Sequence, residues 1–199
     1  MFLKQDSVLL ESTKMIQMKL LLGLFSILTF LGSCQSDAVT IQEPAHQRFF
    51  DLKGYVQQQA TLLQQQQPTI KKTITSGSIV ETKVLQDMDW TKELDLFTKS
   101  DINKPSWVDK YSIDSISKEG GFMLLQYKAK DSDLATRQLD IELKGEVVQS
   151  VLVVNQVTNA IYQSQQYLTY IPQKGYTIKK KQAVQLMDKD DYEIEVTFE

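Results

Sequence analysis

From Trp107 to the C-terminus, apolar residues recur at every second position, in short runs divided by turn-forming residues. Tyr111 and Ile113 alternate with polar neighbours, as do Met123, Leu125 and Tyr127. Leu139, Ile141 and Leu143 are interleaved with Asp140, Glu142 and Lys144. The last run sets Tyr192, Ile194, Val196 and Phe198 against Glu193, Glu195 and Thr197. A period of two marks a strand with one dry face and one wet face. The runs are punctuated by Glu119-Gly120-Gly121, Lys144-Gly145-Glu146, Pro172-Gln173-Lys174-Gly175 and Asp188-Lys189-Asp190-Asp191, all turn chemistries. About seven strands at roughly ten-residue spacing, with links this short, predict an antiparallel meander.

Such a sheet has an apolar face that another layer must keep dry. The sequence upstream supplies the cover. In "HQRFFDLKGYVQQQATLLQQQQP", Phe49, Leu52, Val56, Ala60 and Leu63 fall at helical spacing, glutamines take the outer face, and Pro68 ends the helix. Gly54 is the one poor helix former inside it. "DMDWTKELDLFTKSDINKP" predicts a second helix, capped by Asp87 or Asp89, with a stripe of Trp90, Leu94 and Phe97 and a stop at Pro105. Between the two, β-branched runs flank Ser76-Gly77 and predict a hairpin. The expected fold class is therefore α+β, with residues 45–199 as one domain. It would be an antiparallel meander of about seven strands plus an N-terminal hairpin, strongly curved or partly open as a barrel, covered by two helices.

The N-terminal region has a different character. Leu20 to Leu31 is nearly all apolar behind Met18-Lys19, shorter than the roughly 20 residues a membrane-spanning helix needs, and of signal-peptide length. It ends in Leu31-Gly32-Ser33-Cys34, and Cys34 is the one cysteine of the chain. These four residues resemble the lipobox of bacterial lipoproteins. That resemblance implies cleavage between Ser33 and Cys34, a diacylglyceryl group on the Cys34 sulfur, and a palmitate-like acyl chain on the new amino terminus. Two or more acyl chains hold a protein firmly, because each buried methylene adds about 0.8 kcal/mol. Residues 18–33 are then a signal peptide and residues 34–44 a lipid anchor and tether. Residues 1–17, too polar and acidic for the start of a signal, read as an over-extended gene start. Gln35 rather than Asp after the cysteine points to the outer membrane, with the body facing the periplasm.

Exclusions follow from composition. The net charge is −3, with cations and anions well mixed, so no basic surface for nucleic acid is expected. His46 is the single histidine, and it lies in a polar stretch that reads as ordinary surface. With Cys34 acylated and one histidine, Ser-His-Asp and Cys-His constellations are hard to build, no cofactor fingerprint is present, and no catalytic, cofactor or metal residue is assigned. Asp140, Glu142, Glu193 and Glu195 sit on the wet side of their strands. Asp188, Asp190 and Asp191 lack the glycine and distal glutamate of a calcium loop and read as a hairpin tip, and Lys179-Lys180-Lys181 as a solubilising stretch. The segment "AIYQSQQYLTYIPQKGY" alternates poorly. Its tyrosines join an apolar body to a polar tip, so Tyr162, Tyr167, Tyr170 and Tyr176 are the candidate residues for ligand or partner binding.

The stretches "FFDLKGYV", "ETKVL", "DWTKELDLFTKSDINKPSW" and "YLTYIPQKGYTI" resemble a family of small lipoproteins from Bacteroidota. The resemblance implies location and a single-domain architecture; it brings no activity and no site residues. The expected function is a non-enzymatic, membrane-anchored binding module for an envelope protein or an apolar ligand. One alternative is a lipid or lipoprotein carrier similar to the LolA/LolB class, which needs an empty apolar cavity. The other is a carboxylate-dependent hydrolase, which needs two acidic groups facing one pocket.

Overall fold

The computed structural model describes residues 48–185 and 190–199. Cys34, His46, the signal, the tether and Asp188 lie outside the described residues, as does the side chain of Asp190.

The chain forms helix α1 (Leu52–Gln66), strands β1 (Ile70–Ser76) and β2 (Ile79–Leu85), and helices α2 (Trp90–Glu93) and α3 (Asp95–Lys99). Seven strands follow: β3 (Tyr111–Lys118), β4 (Phe122–Ala129), β5 (Thr136–Lys144), β6 (Val147–Thr158), β7 (Tyr162–Ile171), β8 (Gly175–Val184) and β9 (Asp190–Phe198). All nine strands join one open antiparallel sheet in the order β2-β1-β9-β8-β7-β6-β5-β4-β3. The meander and the α+β class are as the alternation predicts. The hairpin, however, is no separate appendage. β1 pairs with the last strand, Ile70 opposite Phe198 and Ser76 opposite Tyr192, so the sheet is one continuous layer with β2 and β3 as its edges.

One face of this sheet is dry over half its length. Tyr111, Tyr127, Leu139, Ile141, Val151, Val153, Leu168, Tyr170, Tyr176, Ile178, Val196 and Ile70 are buried there, and from Tyr127 on β4 to Val196 on β9 they lie opposite one another in register. The helices cover them with Leu52, Val56, Ala60 and Leu63 from α1, and with Trp90, Leu94 and Phe97. Edge-on aromatic pairs tie the layers together: Phe49 on Tyr111 and Tyr127, Phe97 on Tyr170 and Tyr176, Trp90 on Phe198. Each such pair adds about 1 kcal/mol to its area burial.

The expected second helix is broken. Its stripe of Trp90, Leu94 and Phe97 is buried as the spacing requires, and Asp89 is the cap, accepting from the Lys92 N–H at 3.2 Å. Yet Leu94 leaves the helical region at φ −94°, ψ 7°, dividing α2 from α3. The break lets Trp90 reach β9 while Phe97 reaches β7 and β8. Packing of three large side chains outweighs the one or two backbone hydrogen bonds lost.

Two glycines carry local geometry. A Cβ at Gly54 would lie 2.2 Å from Asp51 Oδ2. The glycine leaves room for the N-cap, in which Asp51 accepts from the Gly54 N–H at 2.9 Å. Gly175 opens β8 at φ +143°, where a Cβ would sit 1.8 Å from the Val196 carbonyl oxygen. Gly145, at φ +61° in the β5–β6 turn, has open space around its missing Cβ.

Gly175→Ala is therefore expected to lower the unfolding free energy by more than about 3 kcal/mol, and Gly145→Ala by about 1 kcal/mol. Urea denaturation followed by Trp fluorescence checks this; equal losses would contradict the close approach at Val196.

Candidate functional site

A wide concavity lies between the flank of α1 and the ends of two hairpins. It has a volume of about 750 Å³, within the range of ligand and peptide sites. Its floor is aromatic: Phe50 meets Tyr55 edge-on at 5.6 Å between ring centres, and Tyr55 meets Tyr170 at 6.5 Å. One wall is the α1 flank, with Gln58, Gln59, Leu62 and Gln66. The other is formed by Glu146, Val147 and Val148 from the β5–β6 turn, with Pro172 and Gln173 from the β7–β8 turn.

Local sequence fixes each wall. Asn103 holds the chain just before α1, donating to the Phe50 carbonyl at 2.8 Å and accepting from the Phe49 N–H at 3.3 Å. The Phe50 N–H donates to the Tyr127 hydroxyl at 3.2 Å. These bonds set where α1 begins and hence where Tyr55 and Leu62 point. At the other end Gln67 turns left-handed (φ 44°) and returns its N–H to Leu63 O before Pro68. The Tyr170 hydroxyl donates to Gln59 Oε1 at 3.0 Å, tying the α1 wall to the floor.

Exposure of apolar groups on these walls is high. Leu62 is 41% and Val147 64% exposed, and a contiguous apolar patch beside a polar rim marks an interaction surface better than single exposed residues do. The charged lining residues are Asp51 and Glu146, so the rim is acidic.

A second constellation lies under α2. Lys72 on β1 donates to both carboxylate oxygens of Glu93, at 2.8 and 3.0 Å. The Tyr176 hydroxyl donates to Glu93 Oε2. All three side chains are largely withdrawn from water, and burial first, then the Glu93 carboxylate, hold the Tyr176 hydroxyl far above its ordinary range. The pairing satisfies the charges on both sides, and it pins α2 to β1 and β8. Losing one partner of such a pair costs about 3–5 kcal/mol, since the other charge stays buried.

The four tyrosines singled out by sequence are not brought together. Tyr170 and Tyr176 are buried, at 2% and 3% exposure, because they face the helices from paired positions on β7 and β8. Tyr170 contributes only its edge to the groove floor, and Tyr176 belongs to the charge pin. Tyr162 is half-buried at the far end of β7, its hydroxyl 3.4 Å from Gln182 Oε1. Tyr167 is on the opposite face and exposed. Of the acidic groups on the wet face, Asp140 accepts from Gln126 and Gln138 amides at 3.1 and 2.8 Å. Glu142 pairs with Lys118, and Glu193 with Lys179.

Sequence reasoning missed Phe50, Tyr55, Leu62 and Val147. The signal was a second stripe on α1, Tyr55, Gln59, Leu62 and Gln66, beside the deeper one at Leu52, Val56, Ala60 and Leu63.

Burial pushes the hydroxyls of Tyr55 and Tyr111 from 10.0 up to about 12. The unfolded chain therefore releases these protons first, and their contribution to stability, whole below pH 10, is lost as pH rises from 10 to 12. Tyrosinate absorbance and far-UV circular dichroism, recorded together, should show late tyrosine ionisation coinciding with loss of strand signal. Complete ionisation near pH 10 with the fold intact would contradict it.

Comparison of the chain with protein-family models, curated proteins and solved structures finds no match.

Proposed function

We propose that the chain is a lipid-anchored, non-enzymatic binding protein of the cell envelope, fixed through Cys34 to the outer membrane and facing the periplasm. In this reading it holds an apolar segment of a partner protein, or an apolar ligand, in the groove beside α1. The observation that carries the reading is the groove itself: an aromatic floor, exposed Leu62 and Val147 on opposite walls, and amide and carboxylate groups at the rim. Neutral amides accept and donate without a large desolvation cost, so they suit a segment whose backbone lies across them. Asp51 and Glu146 favour a segment flanked by cationic side chains.

The carrier alternative calls for an apolar hollow under the helices. Leu52, Trp90, Leu94, Phe97 and Ile102 fill that layer at 0–1% exposure, so carriage would fall to the surface groove. The hydrolase alternative calls for two facing carboxylates. Glu93 instead meets Lys72 and Tyr176, and Asp140 meets two glutamines, so no observation favours it.

Two experiments test the proposal. Cys34→Ala should move the protein from the membrane pellet to the soluble fraction and abolish incorporation of radiolabelled palmitate; an unchanged distribution overturns the anchoring. A photo-crosslinking residue placed at Leu62 or Val147 in intact cells should yield a discrete adduct. The same group at Ile161, equally exposed at 63% but outside the groove, should not. Equal labelling at all three positions would overturn the groove as the binding surface.

A further inference from the structure

The edge strand β2 has the sequence Ile79-Val80-Glu81-Thr82-Lys83-Val84-Leu85, and its apolar pattern reads the same in both directions with opposite charges flanking the centre. About Thr82, Glu81 mirrors Lys83, Val80 mirrors Val84, and Ile79 mirrors Leu85. Among the described residues, β2 is the last strand of the sheet on this side. Ile79, Val80 and Val84 are 62–65% exposed, an unusual load of β-branched surface for an edge, which proteins commonly protect from pairing.

The hairpin fixes which backbone groups face outward. Ser76 lies opposite Ile79, so the loop is the two residues Gly77-Ser78, with Gly77 at φ +56°. Residues flanking a two-residue loop exchange both hydrogen bonds, and the pattern then alternates along the ladder. Ile79, Glu81, Lys83 and Leu85 therefore direct their N–H and C=O toward β1. Val80, Thr82 and Val84 direct theirs to the open edge. Thr82, the centre of the mirror sequence, is thus the centre of the outward hydrogen-bonding set.

We infer that β2 is the interface for a second copy of this chain, paired antiparallel about a two-fold axis through Thr82. Thr82 would then meet Thr82 of the second copy, and Val80 would meet Val84, in three narrow pairs that supply about six inter-chain backbone hydrogen bonds. On the face shared with the helices, each Glu81 would oppose a Lys83 and each Ile79 a Leu85. On the other face Val80 and Val84 would cover one another. An edge charge ordinarily blocks pairing because it meets an apolar or like-charged neighbour. Here opposite charges straddle the axis, so the two-fold turns both into cross-strand ion pairs. Within one chain the same two side chains make only a long, exposed contact of 3.6 Å, readily exchanged for a partner's.

The other edge lacks this symmetry. On β3, a two-fold centred on Asp114 would oppose two carboxylates, and one centred on Ser115 would set Asp114 against Ile116. One centred on Ile116 would set Asp114 against Lys118, but it engages only the last five residues of the strand, and Lys118 already holds Glu142 at 2.7 Å. Pairing is therefore expected at one edge only, which closes at a dimer instead of propagating.

Sedimentation equilibrium of the full chain in mild detergent tests this, with folding of every variant confirmed by circular dichroism. The wild-type chain should show a reversible monomer–dimer equilibrium in the micromolar range, as befits a small interface. Thr82→Pro, which removes an outward N–H but no bond to β1, should weaken the dimer at least about tenfold. Should that variant misfold, the charge variants decide. Glu81→Lys alone and Lys83→Glu alone each oppose like charges and should sediment as monomers, whereas their equimolar mixture should form a heterodimer, and the double exchange should restore self-pairing. A wild-type chain that remains one copy up to hundreds of micromolar, about the range where weak contacts appear, overturns the inference. So does a dimer that is indifferent to the single charge reversals.

Discussion

Everything in this fold depends on keeping one face of a nine-stranded sheet dry with very little helix. Among the described residues, the cover is a fifteen-residue helix and two helical fragments, so its large buried side chains reach across strands. Phe97 touches tyrosines on two adjacent strands, and Trp90 reaches a third. That demand explains the broken helix at Leu94 and the reliance on edge-on aromatic contacts. It also explains the Lys72–Glu93–Tyr176 pin, which holds a four-residue helix too short to be stable by its own hydrogen bonds. Where the cover stops, the same sheet face turns polar, as at Gln166, Lys180 and Gln182 on β7 and β8.

Much of this was legible in the sequence because it is periodic. The alternation of Leu139, Ile141 and Leu143, or of Tyr192 through Phe198, states which face is dry, and the helical stripes at Leu52 to Leu63 and Trp90 to Phe97 state what covers it. What periodicity cannot carry is strand order. Nothing local announces that Ile70 lies against Phe198, and so nothing local distinguishes an isolated hairpin from the edge of a long sheet. The groove was hidden for the same reason: Gln59 and Tyr170 meet only through the tertiary fold. The tyrosines misled because an amphipathic ring serves equally at a surface and in a core. Tyr170 and Tyr176 belong to the core, with hydroxyls satisfied by Gln59 and Glu93.

The functional proposal separates two tasks. The N-terminal cysteine would fix the protein to a lipid surface, and the groove would select what it meets there. Anchoring raises local concentration at that surface, so that modest contacts suffice. A shallow groove with amide rims and a weak two-fold edge are both of the strength that confinement to two dimensions makes useful.

The position of β9 has a further consequence for how the molecule comes into being. β9 follows every other described strand in the chain, yet it lies inside the sheet, between β1 and β8. A chain emerging amino terminus first holds its early hairpin without its native neighbour until β9 arrives. Pairing β1 with β9 closes a loop over nearly the whole domain in one late step, the slow kind of β pairing. A chain lacking β9 would leave the edges of β1 and β8 bare and would lose the Phe198 ring that meets Trp90.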